Sequence, residues 1–313
     1  MSNNTFKKKR TIQEIIEIIN QNSIKSKNAW INGLESRKKE EVTLHDMLRD
    51  MSMRKNASDG DIKKNFSNTK MIDGFSKDGD TLFSNNQKYF DREYLKKNSI
   101  SGLSDIYFND RIAEISKDSL ILDMACGFGR ESIIAAKNNA KLVVGIDLSP
   151  NSVEEANELA KNNDLQNVIF SVADCEKLYF EDNTFDYVIC ARMLHHIKFE
   201  ETIKEAQRVL KENGRVICIE ALGINPLLNM YRKLTPAQRT HWETSNILTF
   251  KHIKIAKKYF AIGPIKFWHI LSPLAKFSKY ILPIANFFDK YLLTKIPFFN
   301  RLSWIFTFEL IKK

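Results

Sequence analysis

The stretch Leu120-Ile121-Leu122-Asp123-Met124-Ala125-Cys126-Gly127-Phe128-Gly129-Arg130 decides the fold of this chain. An apolar run ends in Asp123, a turn containing Gly127 and Gly129 follows, and a helical pattern begins at Arg130. This order predicts a strand, a tight loop and the N-terminus of a helix. Small residues in such a loop let the backbone approach a ligand closely.

A second strand ends in an acid at the same predicted edge of the sheet. The apolar run Leu142–Ile146 leads to Asp147, which is placed to accept hydrogen bonds from a ribose. Two acids and a glycine loop favour a nucleoside ligand without a pyrophosphate, such as S-adenosylmethionine. NAD is the alternative, but its fingerprint needs a third glycine where Ser132 stands, and Asp123 would repel the pyrophosphate.

Strand and helix patterns alternate from residue 119 onward, which indicates a parallel sheet covered on both faces. The predicted class is α/β, with a doubly wound, mostly parallel, seven-stranded Rossmann-like sheet, an N-terminal helical cap and a C-terminal helical insertion. Ligands of such sheets bind at the carboxyl ends of the strands. The predicted strands are 120–124, 142–147, 168–172, 187–191, 214–220, 260–270 and 303–311, and the helices between them are 130–138, 152–162 and 199–210.

The first hundred residues are polar and mostly helical in pattern. Thr11 opens an amphipathic helix with Glu14 as its capping-box partner. Residues 29–53 and 87–115 are predicted to be helical, and residues 55–85 to be a loop or linker. Residues 272–291 form an apolar, lysine-containing helical pattern that Pro283 is expected to break.

The positive charge of the chain is local. The formal net charge is +10, and residues 251–313 hold 12 Lys or Arg against 2 Asp or Glu, together with 14 of the 34 aromatic residues. This favours an anionic membrane surface or an acidic, apolar partner over nucleic acid. Apolar residues recur at helical spacing between 277 and 292: Phe277, Tyr280, Ile281, Ile284, Phe287, Phe288, Tyr291 and Leu292. We expect them to pack as a lid, with docking on an anionic membrane as the open alternative, in which Lys276, Lys279, Lys290 and Lys295 meet the headgroups.

The four cysteines predict neither a zinc site nor a disulfide framework. Cys126, Cys175, Cys190 and Cys218 have the spacing of neither, and we expect reduced core or loop residues in a cytoplasmic protein. No apolar core of signal-peptide type follows the basic N-terminus, and no apolar run approaches the roughly 20 residues that a bilayer-spanning helix needs.

Four motifs in order resemble the class I S-adenosylmethionine-dependent methyltransferases, specifically the small-molecule "methyltransferase domain 11" type. The resemblance covers about residues 100–225. The motifs are Leu122–Gly129, with Ala125 where most members have glycine; Val144–Ser149; Val172–Cys175; and Asp182–Ile189 followed by Leu194-His195-His196. The alanine is a mild departure unless that position needs a positive φ.

The resemblance implies a role for each motif residue. Asp123 would favour the charge of the ammonium or sulfonium group, Asp147 would accept from both ribose hydroxyls, and Asp174 would accept from the adenine amine. The implied cofactor-binding set is Asp123, Ala125, Gly127, Gly129, Asp147, Leu148, Asp174, Cys175 and Arg192.

Methyl transfer from an activated sulfonium needs mainly alignment, and a base only where the acceptor must lose a proton. His195 and His196 are the candidates for that base, with shaping of the pocket as the alternative role. Candidate acceptor-binding residues are His45, Arg232 and Arg239, although His45 requires the N-terminal helix to fold over the cofactor, and the arginines could instead pair with Glu243. No cluster has the spacing of metal ligands, so no metal is predicted.

The sequence therefore predicts two regions: residues 1–99 as a helical cap and linker, and residues 100–313 as a methyltransferase domain with lid insertions near 222–250 and 271–300. The predicted function is methylation of a small or lipid-like acceptor on O, N or C. Alternatives are a nucleic-acid methyltransferase, which the absence of an Asn/Asp-Pro-Pro-Tyr/Phe motif at Cys190–Met193 disfavours, and a non-catalytic cofactor-binding protein. Oligomeric state is left open.

Overall fold

The computed structural model describes residues 11–55, 90–234, 240–276 and 278–313, with the backbone alone at 48–55, 276 and 279. Its centre is one seven-stranded sheet in the order β3-β2-β1-β4-β5-β7-β6. Strands β1 to β5 pair in parallel, and β7 runs antiparallel between β5 and β6. The bounds are β1 Leu120–Met124, β2 Leu142–Asp147, β3 Val168–Val172, β4 Phe185–Ala191, β5 Leu210–Ala221, β6 Phe260–Trp268 and β7 Ile305–Lys312.

Twelve α-helices are present among the described residues. They are α1 Ile12–Gln21, α2 Lys27–Gly33, α3 Ser36–Lys55, α4 Arg92–Asn98, α5 Gly102–Ser116, α6 Arg130–Lys137, α7 Pro150–Asn162, α8 Phe199–Val209, α9 Pro226–Leu234, α10 His241–Ser245, α11 Phe250–Ala256 and α12 Leu282–Lys295. Short 3₁₀ turns at Ser272–Lys276, Lys279–Ile281 and Pro297–Leu302 flank α12.

Alternate side chains of the sheet enter two separate hydrophobic cores. Ile121 of β1 packs with Phe108 of α5 and Ile133 of α6 on one face. Leu122, its neighbour, packs on the other face with Ile203 of α8. Successive residues of a strand point to opposite faces, so strands apolar at every position must be covered on both. The doubly wound class is confirmed.

The element boundaries depart from the sequence prediction where local geometry intervenes. Pro283 lies in the first turn of α12 rather than breaking a helix, because proline fits a position whose N–H needs no intrahelical partner. The helix predicted at 29–53 is two helices separated at Leu34 and Glu35, and that at 87–115 is interrupted between Asn98 and Gly102. The loop predicted at 55–85 lies, apart from residue 55, outside the described residues.

The N-terminal helices lie across the carboxyl edge of the sheet. The indole of Trp30 on α2 donates to the carbonyl of Leu148 at 3.0 Å, directly after β2. Asp46 on α3 accepts from Ser149 Oγ and Asn151 Nδ2, each at 2.7 Å. The capping box of Thr11 and Glu14 is confirmed. Among the residues described, none of the helices has both the length and the apolar character needed to cross a bilayer.

Candidate functional site

A cavity of about 710 Å³ opens at the carboxyl ends of β1, β2 and β4, beneath α3. The strand-end acids predicted from sequence line one part of it. An apolar set lines another part: Met193, Ile197, Ile219, Ile247, Trp304 and Ile305. Every described residue of the predicted site lines this cavity except Gly129, and no described residue between 271 and 300 does.

The loop after β1 is held in left-handed backbone conformations. Ala125 has φ +52°, Gly127 +54° and Gly129 +84°. A Cβ at Gly129 would lie 2.6 Å from Cζ of Phe170, so glycine is required there on two grounds. The departure from glycine at Ala125 is therefore not mild, because its Cβ carries the steric cost of positive φ.

Asp147 ties this loop to the next one. Its Oδ2 accepts from the N–H of Gly127 at 2.9 Å, and its Oδ1 from the N–H of Ser149 at 2.8 Å. Burial raises its pKa, these two backbone donors oppose that shift, and the net direction is upward. Each carboxylate oxygen keeps a second lone pair for a ligand hydroxyl.

Asp123 is 1% exposed, and its Oδ2 accepts from Ser132 Oγ of α6 at 2.6 Å. Burial raises its pKa well above the ordinary value, the negative charge of Glu131 adds to this, and the bonds from Ser132 oppose it. Asp123, Glu131 and Asp147 thus place three carboxyl groups on one wall of the cavity, where the raised pKa values of Asp123 and Asp147 mean that ionising these two costs free energy. A cationic ligand would compensate them.

Asp174 follows β3 and is held by α3. Its Oδ1 accepts from the N–H of Glu176 at 2.9 Å, and Lys38 Nζ lies 2.5 Å from its Oδ2 and 2.9 Å from Glu176 Oε2. Cys175 beside it is buried with a raised thiol pKa, mainly because of burial. All four cysteines are free and buried, as predicted.

Arg192 stands at the end of β4 with φ +56°. Its guanidinium pairs with Asp105 of α5 and lies 3.7 Å from Glu131. Burial lowers its pKa, but the charges of Asp105 and Glu131 raise it on balance. Arg192 therefore stays charged and partly neutralises the acidic wall.

His195 is joined to a fully buried acid. Its Nδ1 lies 2.8 Å from Oε2 of Glu220, whose Oε1 accepts the N–H of Leu194 at 2.7 Å. In the neutral ring, the carboxylate beside Nδ1 keeps the proton on that atom and leaves Nε2 as the acceptor. Nε2 lies 3.9 Å from Glu243 Oε1. Burial lowers the pKa of His195. The negative charges of Glu220, which has the largest effect, and of Glu243 and Glu41 outweigh burial, so the net shift is upward.

His196 has the lower pKa of the two histidines. Its Nδ1 lies 2.9 Å from Oε2 of Glu41 on α3. Burial and the positive charge of His195 lower its pKa to about 3, although Glu41 opposes this. His196 is therefore neutral near pH 7, and His195 is the stronger base of the two.

The fold brings residues from α3 and α10 to these histidines. His45, which required the N-terminal helix to fold over the cofactor, lies 3.7 Å from Glu41 and 4.8 Å, ring to ring, from His196. Glu41, His45 and His196, and also His195, His196 and Glu243, place donor atoms within 4.8 Å of one another and could hold a metal ion. Spacing along the sequence could not reveal this grouping, and metal independence stays a prediction.

Arg232 is buried on the inner side of α9, where it donates to Asn229 Oδ1 at 2.8 Å and lies within 3.5 Å of the Leu222 carbonyl. Arg239 lies outside the described residues. Sequence reasoning missed Lys38, Glu41 and Glu220. Glu220, as an acid at the end of an apolar strand, offered the same signal as Asp123 and Asp147, whereas the two α3 residues offered none.

Comparison with known proteins agrees with this geometry. Residues 115–260 match a family model described as a methyltransferase domain. Over this stretch the chain is similar to methyltransferase domains. S-adenosylmethionine is the cofactor of this domain class, and the acidic wall beside a glycine loop fits its sulfonium and ammonium charges. Asp123, Gly127 and Asp147 would hold it.

Several curated methyltransferases are similar to this methyltransferase domain. A demethylmenaquinone methyltransferase of Staphylococcus aureus is 32% identical over 159 residues, which cover 49% of this chain and 63% of the relative. A sterol 4-C-methyltransferase of Caenorhabditis elegans is 36% identical over 114 residues, 36% of this chain and 34% of the relative. The chain spans less than two thirds of the curated relatives it matches.

Two solved structures share the fold. The MccD protein is 23% identical with a TM-score of 0.50, over 67% of this chain and 98% of that one. Geranyl diphosphate methyltransferase is 15% identical with a TM-score of 0.50, over 71% and 89%. Both likenesses concern the Rossmann-like architecture alone.

Proposed function

We propose that this protein methylates a small, apolar, lipid-like acceptor with S-adenosylmethionine as the methyl donor. One observation carries the proposal: a single cavity is lined both by the Asp123, Gly127 and Asp147 set and by an apolar surface around His195. The cofactor and the acceptor can therefore come into contact inside this one cavity. The bound cofactor supplies an electrophilic methyl carbon on a sulfonium.

His195 is the proposed base for an acceptor hydroxyl, amine or acidic C–H. Glu220 holds the ring in the tautomer that presents Nε2 to the cavity and stabilises the imidazolium that forms. Trp304, Ile247 and Ile197 keep water from the acceptor and favour an apolar skeleton. His196, neutral and bonded to Glu41, is assigned to shaping the pocket.

The acceptor class rests on the cavity wall and on the names of similar proteins, whose substrates include a sterol and demethylmenaquinone. The test incubates the purified chain with methyl-labelled S-adenosylmethionine and one of four acceptors: reduced demethylmenaquinone, a sterol, transfer RNA or duplex DNA. Label is expected in an organic-extractable product only. Label in nucleic acid would favour the alternative acceptor class and overturn the proposal.

Two controls sharpen this assay. His195→Ala should reduce labelling by about two orders of magnitude, the typical contribution of a positioned base. Labelling should survive EDTA, because the proposed chemistry uses no metal. If the chain binds the cofactor but labels none of the four acceptors, a non-catalytic cofactor-binding protein becomes the better account.

A further inference from the structure

Helix α12 presents an apolar face to solvent. Ile284, Phe287, Phe288 and Tyr291 follow the spacing i, i+3, i+4, i+7 and therefore share one side of the helix. Their exposed fractions are 62%, 70%, 47% and 55%. A surface helix ordinarily turns such a stripe toward the core, so this outward stripe needs an explanation. These side chains do not form the packed lid expected from the sequence.

The orientation of α12 is fixed by buried polar contacts on its inner side. Asp289 is 4% exposed, and its carboxylate accepts from the N–H groups of Leu271 at 2.7 Å and Ser272 at 3.0 Å. The segment that binds Asp289 is also joined to α5, because Nε2 of its His269 lies 3.0 Å from Ser104 Oγ. The apolar stripe is thus held outward by the fold.

The segments beside α12 also expose aromatic side chains. Tyr280 before the helix is 80% exposed and Phe298 after it is 68% exposed. Lys290, Lys295 and Arg301 are exposed at its margin. Asp289, turned inward, is the one acid in the sequence between 271 and 301.

Helix α9 presents a second outward apolar stripe. Leu227, Met230 and Leu234 share one side and are 71%, 57% and 73% exposed, while Arg232 on the opposite side lines the cavity. The start of α9 is bound to the end of the 3₁₀ turn after α12, because Asn225 Nδ2 donates to the Leu302 carbonyl at 2.6 Å. We call these two stripes with Tyr280 and Phe298 the docking face.

We propose that the docking face binds the surface of an anionic lipid bilayer. Aromatic and aliphatic side chains enter the interface while lysine and arginine side chains meet the phosphates, which is the composition of interfacial helices. Neither α9 nor residues 271–301 expose an acid, so two copies of the face would bring like charges together, whereas anionic lipid compensates them.

Docking would place the cavity wall beside the bilayer. Trp304, two residues after Leu302, lines the cavity. An acceptor dissolved in the membrane would then reach His195 without crossing water. This last step rests on the proposed function, whereas docking itself does not.

The experiment measures flotation of the intact chain with vesicles. Vesicles of phosphatidylglycerol and phosphatidylcholine are compared with phosphatidylcholine alone, at about 20 mM and about 500 mM salt, which screens exposed charges. We expect binding to the anionic vesicles at low salt, release at high salt and weak binding to neutral vesicles. Protein that stays unbound with anionic vesicles at low salt overturns the proposal.

Three variants locate the binding. Joint replacement Ile284→Ser, Phe287→Ser and Tyr291→Ser should lower partitioning by at least about tenfold, because each removed side chain forfeits burial. Lys290→Glu with Lys295→Glu should abolish the preference for anionic lipid. Phe250→Ser is the matched control, since Phe250 is a 39% exposed aromatic outside the docking face.

Each variant is first checked for binding of S-adenosylhomocysteine and for its thermal midpoint, so that loss of fold is separated from loss of docking. If the triple variant is folded and still floats like the unaltered chain, the docking face is not the membrane contact and the proposal is wrong. A dimer in ultracentrifugation that the triple variant dissolves, without vesicle binding, would assign the face to a second copy instead. Failure of the labelling assay would not alter these outcomes.

Discussion

Nζ of Lys38 lies 2.5 Å from Oδ2 of Asp174, so one ion pair joins the N-terminal helix α3 to the loop where the adenine of the cofactor is expected. The same ammonium lies 2.9 Å from Oε2 of Glu176, whose other oxygen lies 2.6 Å from Arg37 Nη2. This charge cluster holds α3 against the loop after β3, beside the cavity. We expect its opening to widen access for the cofactor.

Lys38→Met should accelerate both association and dissociation of S-adenosylhomocysteine by about tenfold, because losing a buried partner weakens the closed position of α3. Stopped-flow fluorescence measures both rate constants. Lys27→Met is the matched control, since Lys27 pairs with Glu154 in an exposed contact on α2. Equal kinetics in the two variants would mean that the ion pair does not gate the cavity.

Ala125→Gly should stabilise the protein by about 1 kcal/mol. Ala125 has φ +52°, where an alanine pays a steric cost that glycine does not, and this gain exceeds the entropy that glycine adds to the unfolded chain. Urea unfolding gives the difference in midpoint. Ala136→Gly, in the last turn of α6, is expected to destabilise, because glycine adds entropy to the unfolded chain and relieves no strain there. A destabilised Ala125→Gly variant would show that the loop is relaxed with alanine.

The pH dependence of methyl transfer should follow His195. Glu220, Glu243 and Glu41 face its ring and raise its pKa, while neutral His196 adds no charge. A base works only when deprotonated, so kcat/KM should rise with pH through a limb above pH 6.5. Glu220→Gln should move the limb to lower pH, because the largest stabilisation of the imidazolium is lost. An unmoved limb would remove His195 from the role of base.

His269 should make the fold sensitive to acid. Burial lowers its pKa to about 4, and the positive charge of Arg192 acts in the same direction. The negative charges of Asp105 and Asp289 oppose this shift only in part. The pKa of His269 is lower in the folded protein than in the unfolded chain. Its contribution to the free energy of unfolding is therefore complete above about pH 6.5 and is lost as pH falls toward 4. The loss is about 3 kcal/mol at most.

Urea midpoints at pH 7.5 and 4.5 measure this loss. His269→Asn keeps a residue that tolerates φ +65° but does not titrate, so its midpoint should change less between the two pH values. An equal change in both proteins would assign the acid sensitivity to other groups.

Much of the sheet could be predicted from sequence because its strands are buried on both faces. Residues 120–124, 142–147 and 168–172 are apolar almost throughout, and the structure gives these three strands with the predicted bounds. The acids that end two of them were visible for the same reason. The local sequence was therefore sufficient to predict strands that are buried on both faces and the acids that lie at their ends.

The remaining parts of the fold and of the candidate site depend on contacts between residues that are distant in the sequence. Lys38 and Asp174 are separated by 136 residues, and Glu41 and His196 by 155. Neither residue type nor spacing on α3 indicates that this helix crosses the edge of the sheet. The outward stripe of α12 was equally hidden, because a helical apolar pattern does not tell which side faces solvent.

The central claim is that this cavity binds S-adenosylmethionine through the strand-end acids. Titration calorimetry with S-adenosylhomocysteine measures it most directly. We expect one site per chain, and Asp147→Ala should weaken binding at least about tenfold through loss of charge-assisted hydrogen bonds. Asp182→Ala, an exposed acid paired with Arg208 away from the cavity, should bind like the unaltered chain. Unaltered affinity in a folded Asp147→Ala variant, or no binding by the unaltered chain, would contradict the account.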